Sequence, residues 1–413
     1  MKYLVEDKEL SQVADVIDSL HKTPDYVLEG YPMVRVTDIK EGNVDLKNTF
    51  KVDQATFEEF SKKYKPTKGD ILMTRVGTYG NMAFINTLEP FCLGQNTVVI
   101  SPKGINNRFL YYYLQSNDIK NQIESQVGGS TQKTLSLKSI RSLKLKVPTN
   151  NIQEAISSIL GSLDDKIDLN HRVIETLEEV AKLLYKYWFI EFGPFKYGNF
   201  IDTKIGMIPE GWKVKKLKDI ANITMGQSPK SEFYNHEKEG LPFHQGVKDF
   251  GNRFPTNSIY SSKLLRVAEE GDFLISVRAP VGRINIAHTQ MVIGRGLSAL
   301  SSKTNSNSYL LYTLKFIFSE EDKYGSGTIF NAINKGELEG LDVIVPEQKA
   351  INEFEFKVSK LDALIKRNYE QNSLLIETRE YLLPRLLTGE IDVSDAVEKV
   401  KEVISNEQPE PSV

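Results

Sequence analysis

The sequence predicts an α+β protein in which two similar α+β domains are separated by two long helices that pair as an antiparallel coiled coil, with pseudo-twofold character. Three observations carry that reading. The chain repeats itself at a spacing near 200 residues, and each half ends in an unbroken heptad seam. Ahead of each seam lie short alternating apolar runs broken by Gly, Asn and Ser.

The repeat comes first, because a missed repeat mistakes the whole architecture. Leu10–Val16 parallels Leu217–Ile223, and Gly69–Met73 parallels Gly271–Ile275. From Gly129 onward the offset settles at 198 residues, so that Gly129 meets Gly327, Val147-Pro148 meets Val345-Pro346, and Leu163-Asp164 meets Leu361-Asp362. A period this long is a duplicated domain with a duplicated connector. Two similar units in one chain suit a partner with two-fold character of its own, such as duplex DNA.

The connectors are helical. Beyond Pro148, Asn150 with Gln153 or Asn151 with Glu154 forms a capped start. Ile156, Leu160, Leu163, Ile167, Asn170, Ile174, Leu177, Ala181, Leu184 and Trp188 then alternate spacings of four and three. The second copy is Phe354, Val358, Leu361, Ile365, Asn368, Asn372, Leu375, Arg379, Leu382 and Leu386. Pro384 should kink or end that helix, with Thr388-Gly389 as its cap. About 38 residues at 1.5 Å each give roughly 57 Å per helix. A single apolar stripe needs a partner, and the other copy is the natural one. Asn170 and Asn368 would then face each other as a buried polar pair that fixes register.

These features divide the chain into a first globular domain (1–147), a central helix (148–192), a linker and second globular domain (193–345), a C-terminal helix (346–389) and an acidic tail (390–413) expected to be disordered. Asp70–Thr74, Asn96–Ile100 and Leu341–Val345 read as strands, and Asn107–Leu114 and Tyr309–Phe318 as short helices. The aromatic run Phe109–Leu114 suits a core better than a base-stacking surface.

At 40 % hydrophobic and 26 % charged residues, the chain can bury a core in each half. No apolar run is long enough to span a membrane. Cys92 is the only cysteine, which rules out an internal disulfide framework or a cysteine-rich zinc site and fits a cytoplasmic location. Net charge is −3, but it is unevenly spread. The segment 65–148 carries eleven bases against four acids, a balance compatible with phosphate binding. There is no phosphate-binding P-loop, no Pro-Pro dipeptide of the kind amino-methyltransferases use beside a flipped base, no Rossmann fingerprint and no metal-spaced histidine pair. No catalytic and no metal-binding residue is therefore expected.

What the loops do carry is hydrogen-bonding forks at matched places in both halves. Arg presents a bidentate pattern to guanine in the major groove, and Asn and Gln do so to adenine. The candidates are Arg75, Tyr79, Asn81, Gln95, Asn96, Thr131, Gln132 and Lys133 in the first half, and Arg278, Arg283, Arg295 and Asn331 in the second. One scaffold carrying different reading residues is what a two-part address would look like.

At this point the sequence resembles the specificity subunit of type I restriction–modification enzymes over nearly its whole length. The resemblance rests on the domain–helix–domain–helix order and on Trp188–Phe195, Ile205–Trp212, Gly271–Arg278 and Leu383–Ile391. It implies a non-catalytic reader of double-stranded DNA, each globular half a target recognition domain for one part of a split target. The helices would set the spacing between half-sites and dock two modification subunits. Those subunits would bind S-adenosylmethionine and methylate adenine. Restriction subunits using ATP and Mg would join them, and this chain would hold no cofactor itself. The alternatives are a self-contained type II-like restriction or modification enzyme and a purely structural coiled-coil scaffold.

Overall fold

The computed structural model describes residues 3–40, 42–128, 133–318 and 332–405. The chain divides into two compact units. The first joins Met1–His171 with Tyr369–Val413, and the second is Arg172–Asn368. The heptad segments form helices Asn150–Phe189 and Gln348–Thr388, and each helix contributes one half to either unit.

The duplication is visible in the sheets. In unit 1, Val5–Glu9 pairs with Lys144–Pro148, and in unit 2 Lys213–Lys216 pairs with Asp342–Val345. A four-stranded antiparallel sheet follows in each. Its order is Ala14–Asp18, Thr97–Pro102, Ile71–Thr74 and Met82–Phe84 in unit 1. In unit 2 it is Ala221–Met225, Leu297–Ser302, Phe273–Ser276 and Ile284–Ile286. Strand side chains alternate faces. Ile71 and Met73 therefore enter the main core of unit 1, while Leu72 enters a second cluster with Val34 and Val99. Phe273 and Ile275 split from Leu274 in the same way in unit 2. A further sheet in each unit holds one parallel pair, Tyr31–Val34 with Cys92–Leu93 and Leu241–His244 with Met291–Ile293. The aromatic helix Asn107–Leu114 is core, with Phe109 through Leu114 all buried.

The heptad stripe is the buried face of both long helices. Ile156, Leu160, Leu163 and Ile167 pack with Leu375, Leu382 and Leu386 in unit 1. Ala181 and Trp188 share a cluster with Phe354 and Val358 in unit 2. The helices run antiparallel: Asn170 meets Asn372, and Asp164 meets Arg379. The polar second seam is thereby explained, because Arg379 lies 2.9 Å from the Asp164 carboxylate, which also accepts the Tyr112 hydroxyl at 2.6 Å.

Three expectations need correction. Asn170 does not pair with Asn368. Its amide donates to Asn372 Oδ1 and Gln371 Oε1, both at 2.8 Å, whereas Asn368 donates to Leu364 O on its own helix. The stagger of the two helices places the polar pair four residues farther along than equal halves would. Pro384 does not end its helix, which continues to Thr388 with Leu382 and Leu386 fully buried on either side; the stop comes at Gly389, whose φ of 70° suits glycine. The acidic tail is not disordered throughout. Val393–Ser405 is a helix whose Ala396, Val400 and Val403 sink into the core of unit 1.

Each unit fastens a loop of its globular half to the long helices. In unit 1, Asn43 bonds to Asp168, and Tyr111 OH bonds to the backbone of Gly42. In unit 2, Arg253, only 3 % exposed, reaches Glu178 of the first long helix at 3.1 Å and Asp362 of the second. Lys315 adds a contact to Glu178 at 3.3 Å. Burial by itself would raise the Glu178 carboxyl, but Lys315 and Arg253 outweigh it and hold it below its ordinary range.

Candidate nucleic-acid interface

The parallel strand pair decides which loops come together. In unit 1 the chain leaves Val34 into Arg35 and leaves Leu93 into Gly94-Gln95-Asn96, and Gly94 N donates to Val34 O at 2.9 Å. Arg35 and Gln95 thus sit side by side although far apart in sequence. They line a cleft of about 220 Å³ with Lys22, Tyr26, Thr37 and Asn96. Asn96 takes a left-handed backbone, φ 66°, a conformation Asn tolerates better than most residues.

In unit 2 the same junction is His244-Gln245 beside Gly294-Arg295-Gly296, with Gly294 N donating to His244 O at 2.8 Å. The glycines are required by proximity. A Cβ at Gly294 would stand 2.7 Å from Gln245 Oε1, and one at Gly296 would stand 2.5 Å from Gln245 O. Ser228 Oγ accepts from Arg295 N at 3.1 Å and donates to Gln245 Oε1 at 2.7 Å, fixing the carboxamide.

The other expected residues fall into distinct settings. Arg278, Arg283 and Arg295 are exposed, and none makes an ion pair with a described residue. Arg278 and Arg283 flank the turn that follows Phe273–Ser276. Asn81 occupies the matching turn in unit 1, exposed, with its backbone N–H on Thr74 Oγ1 at 3.1 Å. Tyr79 is half-buried and donates to Glu124 at 3.0 Å; Lys133 reaches its hydroxyl at 3.5 Å. Gln95 is exposed, its amide 3.4 Å from Thr23 Oγ1. Arg75 is turned inward. Its guanidinium lies 2.7 Å from Asp18 and bonds to Leu135 O at 3.1 Å, with the two charged side chains 13 % and 12 % exposed. Burial would raise the Asp18 carboxyl, but the hydrogen bonds from Arg75 and His21 dominate and lower it. Arg75 thus braces the loop that carries Asn96, whose backbone oxygen accepts from Arg75 N at 3.0 Å. Thr131, Gln132 and Asn331 lie outside the described residues.

Lys22 and Arg35, in the cleft of unit 1, and Gln245, at the junction of unit 2, were not among the sequence candidates. The usable signal was the strand run before Arg35 and before Gln245, each followed by a second short strand ending in a glycine. Among the described residues no cluster of His, Cys, Asp and Glu could hold a metal ion, and no helix is long and apolar enough to cross a membrane. Burial pushes the Cys92 thiol up to about 12.

Comparison with known proteins places the chain in a family. Residues 4–179 and 209–372 match the family model for the type I restriction modification DNA specificity domain, together more than half of the chain. A Methanocaldococcus jannaschii protein provisionally named the MjaX type I restriction enzyme specificity subunit is 32 % identical over 413 residues, covering 94 % of each chain. The HindI specificity subunit of Haemophilus influenzae is 26 % identical, covering 78 % of this chain and 87 % of the other. The crystal structure of a type I restriction–modification S subunit from M. genitalium shares the fold, with a TM-score of 0.58 at 17 % identity over 93 % of this chain and 96 % of that one.

Proposed function

The chain belongs to the type I restriction modification DNA specificity family, and from that premise we propose that each unit reads one half of a bipartite duplex target. The observation that supports it best is the repeated scaffold with unlike residues at matching exposed places: Gln95 in unit 1 against Arg295 in unit 2. One framework then offers two different hydrogen-bonding faces to base edges. Exposed Arg278 and Arg283, with Lys133, supply charge for phosphates, which position a reader without specifying sequence. Asn81 and Tyr79 lie on the turn after Ile71–Thr74 in unit 1, and Arg75 acts through the loop it braces.

The partners in this reading are modification subunits that bind S-adenosylmethionine and methylate adenine, together with ATP- and Mg-dependent restriction subunits. The chain itself supplies the address and the spacing. In unit 2, Val173, Val180, Leu183 and Tyr187 form an exposed apolar stripe at heptad spacing on the outer side of the first long helix. Leu374 and Tyr381 do the same on the second helix in unit 1. These stripes are where the modification subunits would seat. Leu183→Asp with Leu374→Asp should leave the fold intact, since both side chains are exposed, and should abolish co-purification of the modification subunits. Undiminished co-purification would move the docking surface elsewhere.

The central test is exchange. Replacing residues 20–145 with the first domain of another family member is expected to change one half of the methylated target and leave the other unaltered, as read by methylome sequencing. Changes in both halves would defeat independent reading.

A further inference from the structure

The junctions of the two parallel strand pairs carry the same two side-chain types in exchanged order. In unit 1 Arg35 follows the first strand of the pair directly and Gln95 stands two residues past the second; in unit 2 Gln245 follows the first and Arg295 stands two residues past the second. We propose that Arg35 and Gln245 are specificity-determining residues, acting as pairs with Gln95 and Arg295, so that each unit reads one guanine and one adenine from transposed positions of a common site. This rests on the DNA-reading function proposed above and names the residues that would perform it.

The geometry at Arg35 fits a reader held ready. Its Nε and one terminal nitrogen bond to the two oxygens of Asp38 at 2.9 and 3.1 Å, and its guanidinium carbon lies 3.8 Å from the centre of the Phe50 ring. Those contacts use one edge and one face of the fork. The edge formed by the two terminal nitrogens keeps its outward N–H groups, which is the edge that matches O6 and N7 of guanine. The side chain remains 30 % exposed, at the wall of the cleft shared with Gln95. A planar fork fixed by carboxylate and aromatic ring loses little freedom on binding.

Gln245 is prepared differently. Its oxygen takes the Ser228 hydroxyl at 2.7 Å, which fixes the plane of the amide and leaves one lone pair of that oxygen. Its NH2 donates to no described residue. A free oxygen lone pair beside a free N–H is the pattern adenine offers a complement to at N6 and N7. The glycines at 294 and 296 are what allow the backbone of the loop carrying Arg295 to pass close to Gln245, since any Cβ there would collide with it. A chance pair of surface polar residues would need neither the glycines nor the Asp38 and Ser228 supports.

The test uses the assembled complex of this chain with its modification subunits. The native target is taken from the methylome, and binding is measured at fixed salt to that duplex and to duplexes changed at one base pair at a time. Arg35→Ala and Arg295→Ala should each weaken native binding roughly 5- to 150-fold and flatten discrimination at one G·C pair, in opposite half-sites. Gln245→Ala should do so at one A·T pair in the same half-site as Arg295→Ala. Arg35→Lys keeps the charge and loses the fork, so it should lose the same discrimination while its melting curve overlays the wild type. A uniform loss over all duplexes with a shallower salt dependence would make these residues phosphate contacts and overturn the proposal, as would no loss at all. If exchange of residues 20–145 still rewrites one half-site while Arg35→Ala does not, the assignment fails and the two-part reading stands. If the native complex binds all duplexes alike, the two-part reading itself fails.

Discussion

Replacing Arg253 with Ala is expected to destabilise unit 2 by about 3–5 kcal/mol, because it takes the cation from Asp362 and one of two cations from Glu178, both withdrawn from water by the fold. Arg253 is 3 % exposed, and Glu178 and Asp362 are 16 % and 18 % exposed, so solvent screens the group little. Lys315 remains to answer Glu178, while Asp362 keeps, among the described residues, the hydroxyls of Ser308 and Tyr312. The readout is built in. Trp188 and Trp212 are the chain's only tryptophans and both are buried in unit 2, so indole fluorescence follows that unit in a denaturant titration. A fluorescence midpoint unmoved by the substitution would show that the network contributes nothing. The effect has a pH signature. The Glu178 carboxyl is held below its ordinary value of 4.5, so its contribution is complete above that value and is lost as pH falls through the lowered one. The gap between wild type and Arg253→Ala should therefore narrow in acid below about pH 4.5.

Removing residues 393–413 is expected to cost unit 1 several kcal/mol. Val400 and Val403 are 5 % and 9 % exposed, and burying a side chain of that size contributes about 1.5–3 kcal/mol. Val393, Val397 and Ile404 pack on the same cluster, and its floor would be opened to water. Far-UV circular dichroism should show an earlier unfolding phase while the tryptophan transition keeps its midpoint. Superimposable dichroism curves for the full and shortened chains would disprove the helix's role.

Legibility followed the range of the interaction. The seam from Ile156 to Trp188 could be read because helical period and burial are both local properties, and most of its positions are buried. The duplicated sheets could be read because like runs fold alike. The partner of Asn170 could not be read: Asn368 and Asn372 both lie on the seam, and only the stagger of two packed helices chooses between them. The final helix was hidden by composition, since seven acids outweigh a stripe of valines when charge is counted instead of spacing. Arg75 looked like a reader because a sequence does not show that Asp18 waits behind it. Arg35 escaped notice because a parallel strand pair, not proximity in the chain, sets it beside Gln95. Insertions also blur the repeat there: Arg35 and Gln245 are 210 residues apart, Gln95 and Arg295 200.

The division of the chain has a consequence for its birth on the ribosome. Unit 2 is one uninterrupted run, Arg172–Asn368, whereas unit 1 needs Tyr369–Val413 to complete it. At about 5–20 residues per second, the intervening 197 residues take roughly 10–40 s to translate. Throughout that interval the nascent face formed by Ile156, Leu160, Leu163 and Ile167 waits without Leu375, Leu382, Leu386 and the final helix that will cover it. The segment synthesised first is thus the last to be sealed, and during that delay its bare leucines and isoleucines are a target for holding chaperones.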